Sequence, residues 1–401
     1  MLVVQKYGGT SVGDVERIEN VTNRVAKARE AGDDVVVVVS AMSGETNKLI
    51  GFANHFTNEP AKKEMDMLLS SGERVTAALL SIALQARGYD AVAMTGRGAG
   101  IVTDDTHTYA RIQSIDPTSM QKAIAKGKIV IVAGFQGVNN DGSVTTLGRG
   151  GSDLSAVALA GALNADRCEI YSDVDGIYTT DPRIEPNAKK LDSISYDEML
   201  ELSSLGAKVL QSRSVELAKK LGVKLYAKSS FSDNEGTLIS EESDNMEEVL
   251  VSGVVLDKNQ ARVTLRGVSD RPGIAAEIFT MLAEENINVD MIIQNMAENG
   301  LTNLGFTVPH SEHENAKKLM ANFDHDIESM DFDEHVCKVS VVGVGMKSHS
   351  GVAATAFRVL ADSNININMI STSEIKVSMV IDEKYGELAI RTLHEAYGLD
   401  K

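Results

Sequence analysis

Residues Gly273 to Ile292, GIAAEIFTMLAEENINVDMI, return 78 positions later as Gly351 to Ile370, GVAATAFRVLADSNININMI, without a gap. Gly, two Ala, Phe, Leu, Ala, Asn, Ile, Asn, Met and Ile coincide. A match this dense marks one supersecondary unit built twice. Each copy follows an apolar strand, Arg262 to Arg266 and Lys338 to Val342, and holds a turn, an amphipathic helix and a second strand. A third strand is expected at Gly305 to Val308 and at Lys376 to Ile381. A second helix is expected at Ala316 to Ala321 and at Glu387 to Tyr397. The order βαββα, with room for a final strand, is that of a ferredoxin-like βαββαβ unit. Such a unit buries little core alone, so the copies are expected to pair their sheets, within the chain or between chains.

Upstream, the pattern changes. Leu2 to Tyr7, Val35 to Ser40, Asp90 to Met94, Ile129 to Ala133 and Arg167 to Ser172 are short, apolar and rich in β-branched residues, as buried strands are. Helical patterns lie between and after them: Val15 to Ala31, Lys62 to Gln85, Thr118 to Lys126, Ser152 to Leu163 and Ala207 to Lys220, with Gly222 suited to a C-terminal cap. Strands alternating with helices imply α/β architecture, a mostly parallel sheet sandwiched by helices. Ligands in such folds gather at the carboxyl ends of the strands. Ser240 to Glu248, SEESDNMEE, is acidic and polar and reads as a linker, or else a short acidic helix. The expected domains are 1–240, a linker over 241–261, and the repeats at 262–335 and 336–401.

Charge narrows the function classes. Lys plus Arg number 39 against 57 Asp plus Glu, a formal net charge of −18. So acidic a chain disfavours nucleic acid and anionic membrane surfaces, but leaves room for a local basic site for a small phosphate. Apolar runs such as Val35 to Val39 are too short to span a bilayer. The opening MLVVQKYGGTS shows no export pattern. Cys168 and Cys337 are expected to be reduced thiols of a cytoplasmic protein.

Three segments carry chemistry. In Lys6-Tyr7-Gly8-Gly9-Thr10-Ser11 a strand ends at two glycines ahead of a helix. Backbone N–H groups there close on phosphate oxygens, and Lys6 adds a point charge. The same glycines also make an ordinary turn, and the G-x-x-x-x-G-K-[ST] loop is absent. In TLGRGGSDLS, within Thr146 to Ser155, a Gly-rich turn meets an apolar helix. Ser152 and Asp153 suit an N-cap, while Arg149, between glycines, is placed to clamp a carboxylate. In SDVDGIYTTDPR, Ser172 to Arg183, Asp173 and Asp175 sit in a tight turn after a strand. They suit Mg²⁺ or ribose hydroxyls, although a plain Asx turn explains them as well.

Together, KYGGTS at 6–11, SAMSGETN at 40–47, SSGER at 70–74, GRGGSD at 148–153, SDVDGIYTTDPR at 172–183 and AKVL at 207–210 resemble the aspartate kinase family. The tandem repeat resembles its paired ACT regulatory domains. The resemblance spans essentially the whole chain and implies an amino acid kinase fold followed by two ACT domains. It implies transfer of the ATP γ-phosphate, with Mg²⁺, to the side-chain carboxylate of L-aspartate. The product is 4-phospho-L-aspartate, at the head of lysine, threonine and methionine synthesis. It assigns Lys6, Tyr7, Gly8 and Gly9 to the transferring phosphate, and Thr46, Glu73, Arg149, Gly150, Gly151 and Ser152 to aspartate. Arg149 would pair with the α-carboxylate and Glu73 with the α-ammonium. Asp153 would support Lys6 and the turn; Lys6 and Asp153 are the catalytic pair. Ser172, Asp173, Tyr178, Arg183, Lys208 and Val209 would contact the nucleotide. Ser172 departs from the family's usual Thr but keeps the hydroxyl.

The resemblance also implies feedback inhibition by lysine, threonine or both. Their site would be Asp270, Arg271, Pro272, Gly273, Ile274, Ala275, Asn288, Val289, Asp290 and Gln294. In the second repeat it would be Val352, Ala353, Asn366, Ile367, Thr372 and Ser373. Ser350 stands where the family usually has Pro. A homo-oligomer through the ACT domains is expected, and the unaided alternative is capped helices and sheet edges of a structural dimer. Two other readings compete: a glutamate-type acyl-phosphate kinase, against which Arg149, Glu73 and the repeat weigh, and a catalytically inactive amino-acid sensor, which intact Lys6, Asp153 and Asp173 disfavour.

Overall fold

The computed structural model describes residues 1–204, 209–241, 250–296, 298–321, 323, 327–347 and 351–401. The chain forms two compact units. The first comprises Met1–Ile177, Lys190–Ser203 and the described residues of 208–244. The second comprises Tyr178–Lys189 and the described residues of 204–207 and 245–401.

In chain order the first unit contains β1 (Leu2–Tyr7), α1 (Val15–Glu30), β2 (Asp34–Val39), α2 (Glu45–Phe56), α3 (Lys62–Leu69), α4 (Ser71–Ala86) and β3 (Ala91–Met94). Then come β4 (Ile101–Thr103), β5 (Ile112–Ile115), α5 (Thr118–Ile124), β6 (Ile129–Ala133), β7 (Gln136–Val138) and β8 (Val144–Thr146). It closes with α6 (Gly151–Leu163), β9 (Arg167–Ser172), β10 (Ser193–Ser195), α7 (Tyr196–Ser204), α8 (Ser212–Leu221), β11 (Leu225–Ser229) and β12 (Thr237–Ser240). An eight-stranded sheet runs β10-β12-β11-β9-β1-β2-β6-β3. Every neighbouring pair is parallel except β11 with β12. Val35 to Val39 are all buried, as a strand covered on both faces requires. From β1 the chain passes to β2 on one side and later to β9 on the other, so the crevice at the carboxyl end of β1 is a topological switch point.

Two differences from the sequence expectation matter. The helix expected over Lys62 to Gln85 divides at Ser70 into α3 and α4. The hydroxyls of Ser70 and Ser71 donate to the carbonyls of Met67 and Leu68, which bends a helix. By length and composition Lys62–Ala86 would pass for a membrane span, but half of its apolar window is buried within the protein, as in a core helix. The helix expected from Ala207 begins at Ser212 in the described residues.

The second unit holds β13 (Gly253–Ser269), α9 (Ile274–Glu284), β14 (Ile292–Gln294), β15 (Leu301–Val308), α10 (His313–Ala321) and β16 (Ser329–Val342). After these come α11 (Val352–Asp362), β17 (Met369–Thr372), β18 (Lys376–Asp382) and α12 (Gly386–Ala396). One six-stranded antiparallel sheet joins both repeats in the order β14-β15-β13-β16-β18-β17. The central strands are longer than expected, and each serves both repeats. Arg262 to Arg266 pair with Ser329 to Asp333, completing the first repeat; Gly253 to Asp257 pair with Lys338 to Val342, completing the second. The second repeat therefore takes its final strand from the chain that precedes the first. Of the expected linker, 242–249 lie outside the described residues, and β13 opens at Gly253. Asn286 and Asn364, equivalent in the repeat, both turn the chain after their helices in the left-handed conformation, at φ 59° and 56°.

Tyr178–Lys189 packs inside the second unit. Thr179 accepts a hydrogen bond from Val254 N–H at 2.8 Å. Its hydroxyl lies 2.9 Å from His394 Nε2, and Arg391 Nε donates to the Ile184 carbonyl at 2.9 Å.

Candidate active site

Lys6 lies near the end of β1, in register with Val38 on one side and Ile170 on the other. Its ammonium meets Asp153 Oδ1 at 2.6 Å, and both side chains are largely buried. Asp153 belongs to the first turn of α6, where the helix dipole favours a carboxylate. Gly8 follows, its N–H donating to the Tyr171 carbonyl at 3.1 Å. A Cβ on Gly9 would stand 3.0 Å from the Ala41 carbonyl oxygen, so the chain after β1 passes tightly against the chain after β2.

Ala41 also meets Glu73. The first turn of α4 approaches so closely that a Cβ on Gly72 would lie 2.7 Å from the Ala41 Cβ. Glu73 Oε1 accepts the Ala41 N–H at 3.1 Å, while Oε2 is buried with no hydrogen-bond partner among the described residues. Burial pushes this carboxyl up to about 7, against the N–H groups of Glu73 and Ala41, which pull it down. A buried acceptor without a donor suits a cationic ligand. Thr46 is half-buried in the first turn of α2, after Gly44 in the left-handed conformation.

The Gly-rich turn before α6 completes this end of the sheet. Gly148 and Gly150 hold φ of 80° and 70°. Gln211 Nε2 donates to the Arg149 carbonyl at 2.7 Å, and a Cβ on Gly150 would collide with the Gln211 side chain. The Arg149 side chain is exposed, and its guanidinium has no partner among the described residues. Ser152 is buried against the end of β6, where a Cβ on Gly134 would sit 2.9 Å from both Ser152 Cβ and Val38 Cγ1. Phe135 takes φ 69°, a strained conformation for a bulky residue, and its N–H donates to Ser155 Oγ at 3.1 Å. Lys6, Gly8, Gly9, Thr46, Glu73 and Arg149 to Asp153 thus follow the carboxyl ends of β1, β2 and β8 or open the helices after them.

Of the expected nucleotide residues, Ser172 ends β9, beside β1, and Asp173 follows it. Ser172 Oγ accepts the Val174 N–H at 3.1 Å, and Asn234 Nδ2 donates to Asp175 at 2.9 Å. The turn expected here forms, and Asp173 stands exposed. Among the described residues no group of three His, Cys, Asp or Glu is arranged to hold a metal. Asp173, exposed after β9, offers a hard oxygen of the kind Mg²⁺ takes. Val209 is half-buried in a turn; Lys208 lies outside the described residues. Tyr178 and Arg183 fall in the second unit, where Arg183 grips Asp181 through Nε at 3.0 Å and a terminal nitrogen at 2.6 Å. That fork holds the Asp181 carboxyl below its ordinary range.

The expected effector residues flank α9 and α11. Gly273 caps α9 at φ 98°, and Asp270, Pro272, Asn288 and Gln294 are exposed. Arg271 forms a fork with Glu277, 2.6 Å at each end. Asp290 is held by the buried Lys338 ammonium. In the second repeat Val352 is buried, Asn366 donates to Asn368 at 3.3 Å, and Thr372 and Ser373 are exposed. Asp66, Gln136 and Gln211 escaped the sequence analysis. Asp66 shares α3 with Lys62, Lys63 and Glu64, so nothing in the local sequence sets it apart.

The sequence profile of the amino acid kinase family matches residues 1–228, and that of the ACT domain matches 263–322 and 339–397. The aspartokinase of Helicobacter pylori is 58% identical over 405 aligned residues, covering 100% of both chains. The structure of Escherichia coli aspartokinase III in complex with aspartate and ADP, in the R-state, superposes with a TM-score of 0.81 at 27% identity, covering 99% of each chain. The same enzyme in complex with lysine and aspartate, in the T-state, gives 0.79 at 27% identity over 98% of this chain and 99% of that one.

Proposed function

The chain belongs to the aspartate kinases of the amino acid kinase family, ATP-dependent phosphotransferases with ACT domains, and on that premise we propose how its residues divide the work. Lys6, Gly8 and Gly9 bind the transferring phosphate; Arg149 takes the α-carboxylate of L-aspartate and Glu73 its α-ammonium. Thr46 and the N–H groups of Gly150, Gly151 and Ser152 complete the amino-acid subsite. Ser172, Asp173, Lys208 and Val209 serve the nucleotide. Asp153 orients the Lys6 ammonium.

The acceptor is a carboxylate with an ordinary pKa of about 3.9, already ionised at neutral pH, so no group need remove a proton. The task is to bring an anion to a polyanion, which is positioning plus charge stabilisation. Mg²⁺, carried on the phosphates near Asp173, would neutralise phosphate charge. The Lys6–Asp153 pair at 2.6 Å supports this reading most directly, because it holds a cation at the switch point in one fixed orientation. Since Arg149 and Glu73 fix the backbone end of the substrate, side-chain length selects aspartate; glutamate, one methylene longer, overshoots.

Feedback by lysine, threonine or both acts through the effector residues that flank α9 and α11, in a cytoplasmic homo-oligomer joined by its ACT domains. An inhibitor must favour an inactive arrangement over an active one by its own differential affinity. ATP-dependent hydroxamate formation tests the whole reading, with aspartate, glutamate or no acceptor, each with and without lysine and threonine. Product with aspartate alone, suppressed by an effector, is expected. Equal turnover of glutamate refutes the length argument, and absence of product refutes the kinase assignment.

A further inference from the structure

Asp66 lies on α3, and its carboxylate is fully buried. Donors from two distant segments converge on it. The Thr146 hydroxyl donates to Oδ1 at 2.5 Å, the Thr108 N–H lies 3.0 Å from the same oxygen, and His107 Nδ1 approaches Oδ2 at 2.6 Å. A buried carboxylate is tolerated only when its oxygens are satisfied in this way.

The two ends of this network matter more than its middle. Thr146 ends β8, and the chain then enters the turn that carries Arg149. Asp66 precedes by one turn the break at Ser70, after which α4 opens with Glu73. A second set of bonds repeats the link. Gln136 stands opposite Thr146 in the β7–β8 ladder and donates through Nε2 to the Ser70 carbonyl at 2.9 Å. Its Oε1 accepts from Arg74 Nε at 3.4 Å, and Arg74 donates to Ser70 Oγ at 3.1 Å. The Thr108 backbone is held at φ 69°, and next to it Tyr109 packs so closely that a Cβ on Gly148 would lie 2.6 Å from its ring.

We infer that Asp66 is a positioning residue for the amino-acid substrate, locking the helix that carries Glu73 to the strand that leads to Arg149. The inference rests on the assignment of those two residues to aspartate. Their two targets, ammonium and carboxylate, sit on one carbon atom, so the substrate dictates the separation of the groups that hold them. An error of about 1 Å in such a pair costs up to roughly a hundredfold. The phosphate floor at Gly8 and Gly9 has no bond to this network among those described, so nucleotide binding is spared.

The test compares wild type with Asp66→Asn and Thr146→Val, measuring KM for each substrate, kcat and melting temperature. Asparagine places an NH₂ where an oxygen met a donor; valine removes one hydroxyl from β8 and leaves the ladder intact. The expected result is a KM for aspartate raised about tenfold in both variants, with KM for ATP within about twofold of wild type. An unchanged aspartate KM in folded Thr146→Val overturns the proposal, even if Asp66→Asn fails to fold. So does a parallel rise in both KM values, the mark of general loosening. If wild type itself does not phosphorylate aspartate, the underlying substrate assignment falls instead, and isothermal titration with aspartate separates that outcome from a wrong role for Asp66.

Discussion

The Lys6 ammonium and Asp153 Oδ1 meet at 2.6 Å, each side chain only 11% exposed, joining the central strand of the sheet to the first turn of α6. Removing one partner of a buried pair strands the other, at roughly 3–5 kcal/mol. Lys6→Ala is therefore expected to lose both stability and activity, and the two losses are separable. Lys6→Ala with Asp153→Asn should recover most of the melting temperature without recovering turnover. Loss of one preorganised charge donor predicts a kcat lower by about 10²–10³, with aspartate binding retained in calorimetry. Near-normal turnover in Lys6→Ala would remove the lysine from phosphate stabilisation.

Glu73 predicts a pH dependence with a definite sign. Its carboxyl is raised to about 7 in the folded chain, from an ordinary 4.5. Between those values the native state binds the extra proton, so stability falls as pH rises through that window, by about 3 kcal/mol in all. Glu73→Gln should flatten this part of the stability profile. If the ionised form receives the substrate's ammonium, the KM for aspartate rises as pH falls below about 7, by up to tenfold per unit. A flat aspartate KM between about pH 5.5 and 8 would exclude the ammonium role.

How far the sequence reveals this architecture depends on where the determining contacts lie. The parallel core is legible because β2 is a run of valines whose burial on both faces needs no partner to be named. The β5-β4-β7-β8 sheet is not, since its strands are three or four residues long and show no periodicity. The repeat reveals two ferredoxin-like units but suggests a missing strand at the end of each. Gly253 to Asp257 supply the second unit's strand from ahead of the first, a swap no local pattern encodes. At the site, Lys6, Glu73 and the Gly150–Asp153 turn stand in motifs. Asp66 and Gln136 act across contacts remote in sequence, and so read there as ordinary polar residues.

Two left-handed glycines separate conformation from packing. Gly222, at φ 64°, has open space where a Cβ would go; Gly150, at φ 70°, would place one 2.6 Å from Gln211. Gly222→Ala should cost about 1 kcal/mol from backbone conformation alone. Gly150→Ala adds displacement of Gln211, which holds the Arg149 carbonyl, and is expected to cost about 1–3 kcal/mol more. Aspartate KM should rise in Gly150→Ala and stay at the wild-type value in Gly222→Ala; equal kinetics in the two would detach the turn's shape from substrate binding.

His394 is buried on α12 beside the Thr179 hydroxyl. Burial lowers the pKa of its imidazole, against Glu185 and Asp400, which raise it. The unfolded chain therefore binds the proton more readily, and stability is lost as pH falls through the ordinary imidazole value of about 6.5. His394→Gln keeps a polar partner for Thr179 and should reduce the slope of melting temperature against pH between about 5 and 7. An unchanged slope would place the titration elsewhere.

Lys338 and Asp290 form an unequal pair. The lysine side chain is 3% exposed on the shared strand β16, whereas the aspartate is 42% exposed. In the repeat Asp290 is matched by the uncharged Asn368, while Lys338, which opens the strand Lys338 to Val342, is matched by Arg262, which opens Arg262 to Arg266, so the pair is not required by the ferredoxin-like unit itself. Asp290→Asn strands the ammonium in the sheet, with Asp257 Oδ2 at 3.9 Å as the remaining acid. That change is expected to cost about 3 kcal/mol. Lys338→Met instead releases an aspartate that water can reach and replaces a buried charge with an apolar chain of similar length, so it should be neutral or stabilising. The order of melting temperatures is thus Lys338→Met at or above wild type, and Asp290→Asn well below. Both variants also change the site where an amino-acid effector is proposed to bind, so both should shift the inhibition curve for lysine or threonine. A fall in melting temperature for Lys338→Met equal to that of Asp290→Asn would show that the bond itself, rather than the burial of an unpaired charge, sets the cost.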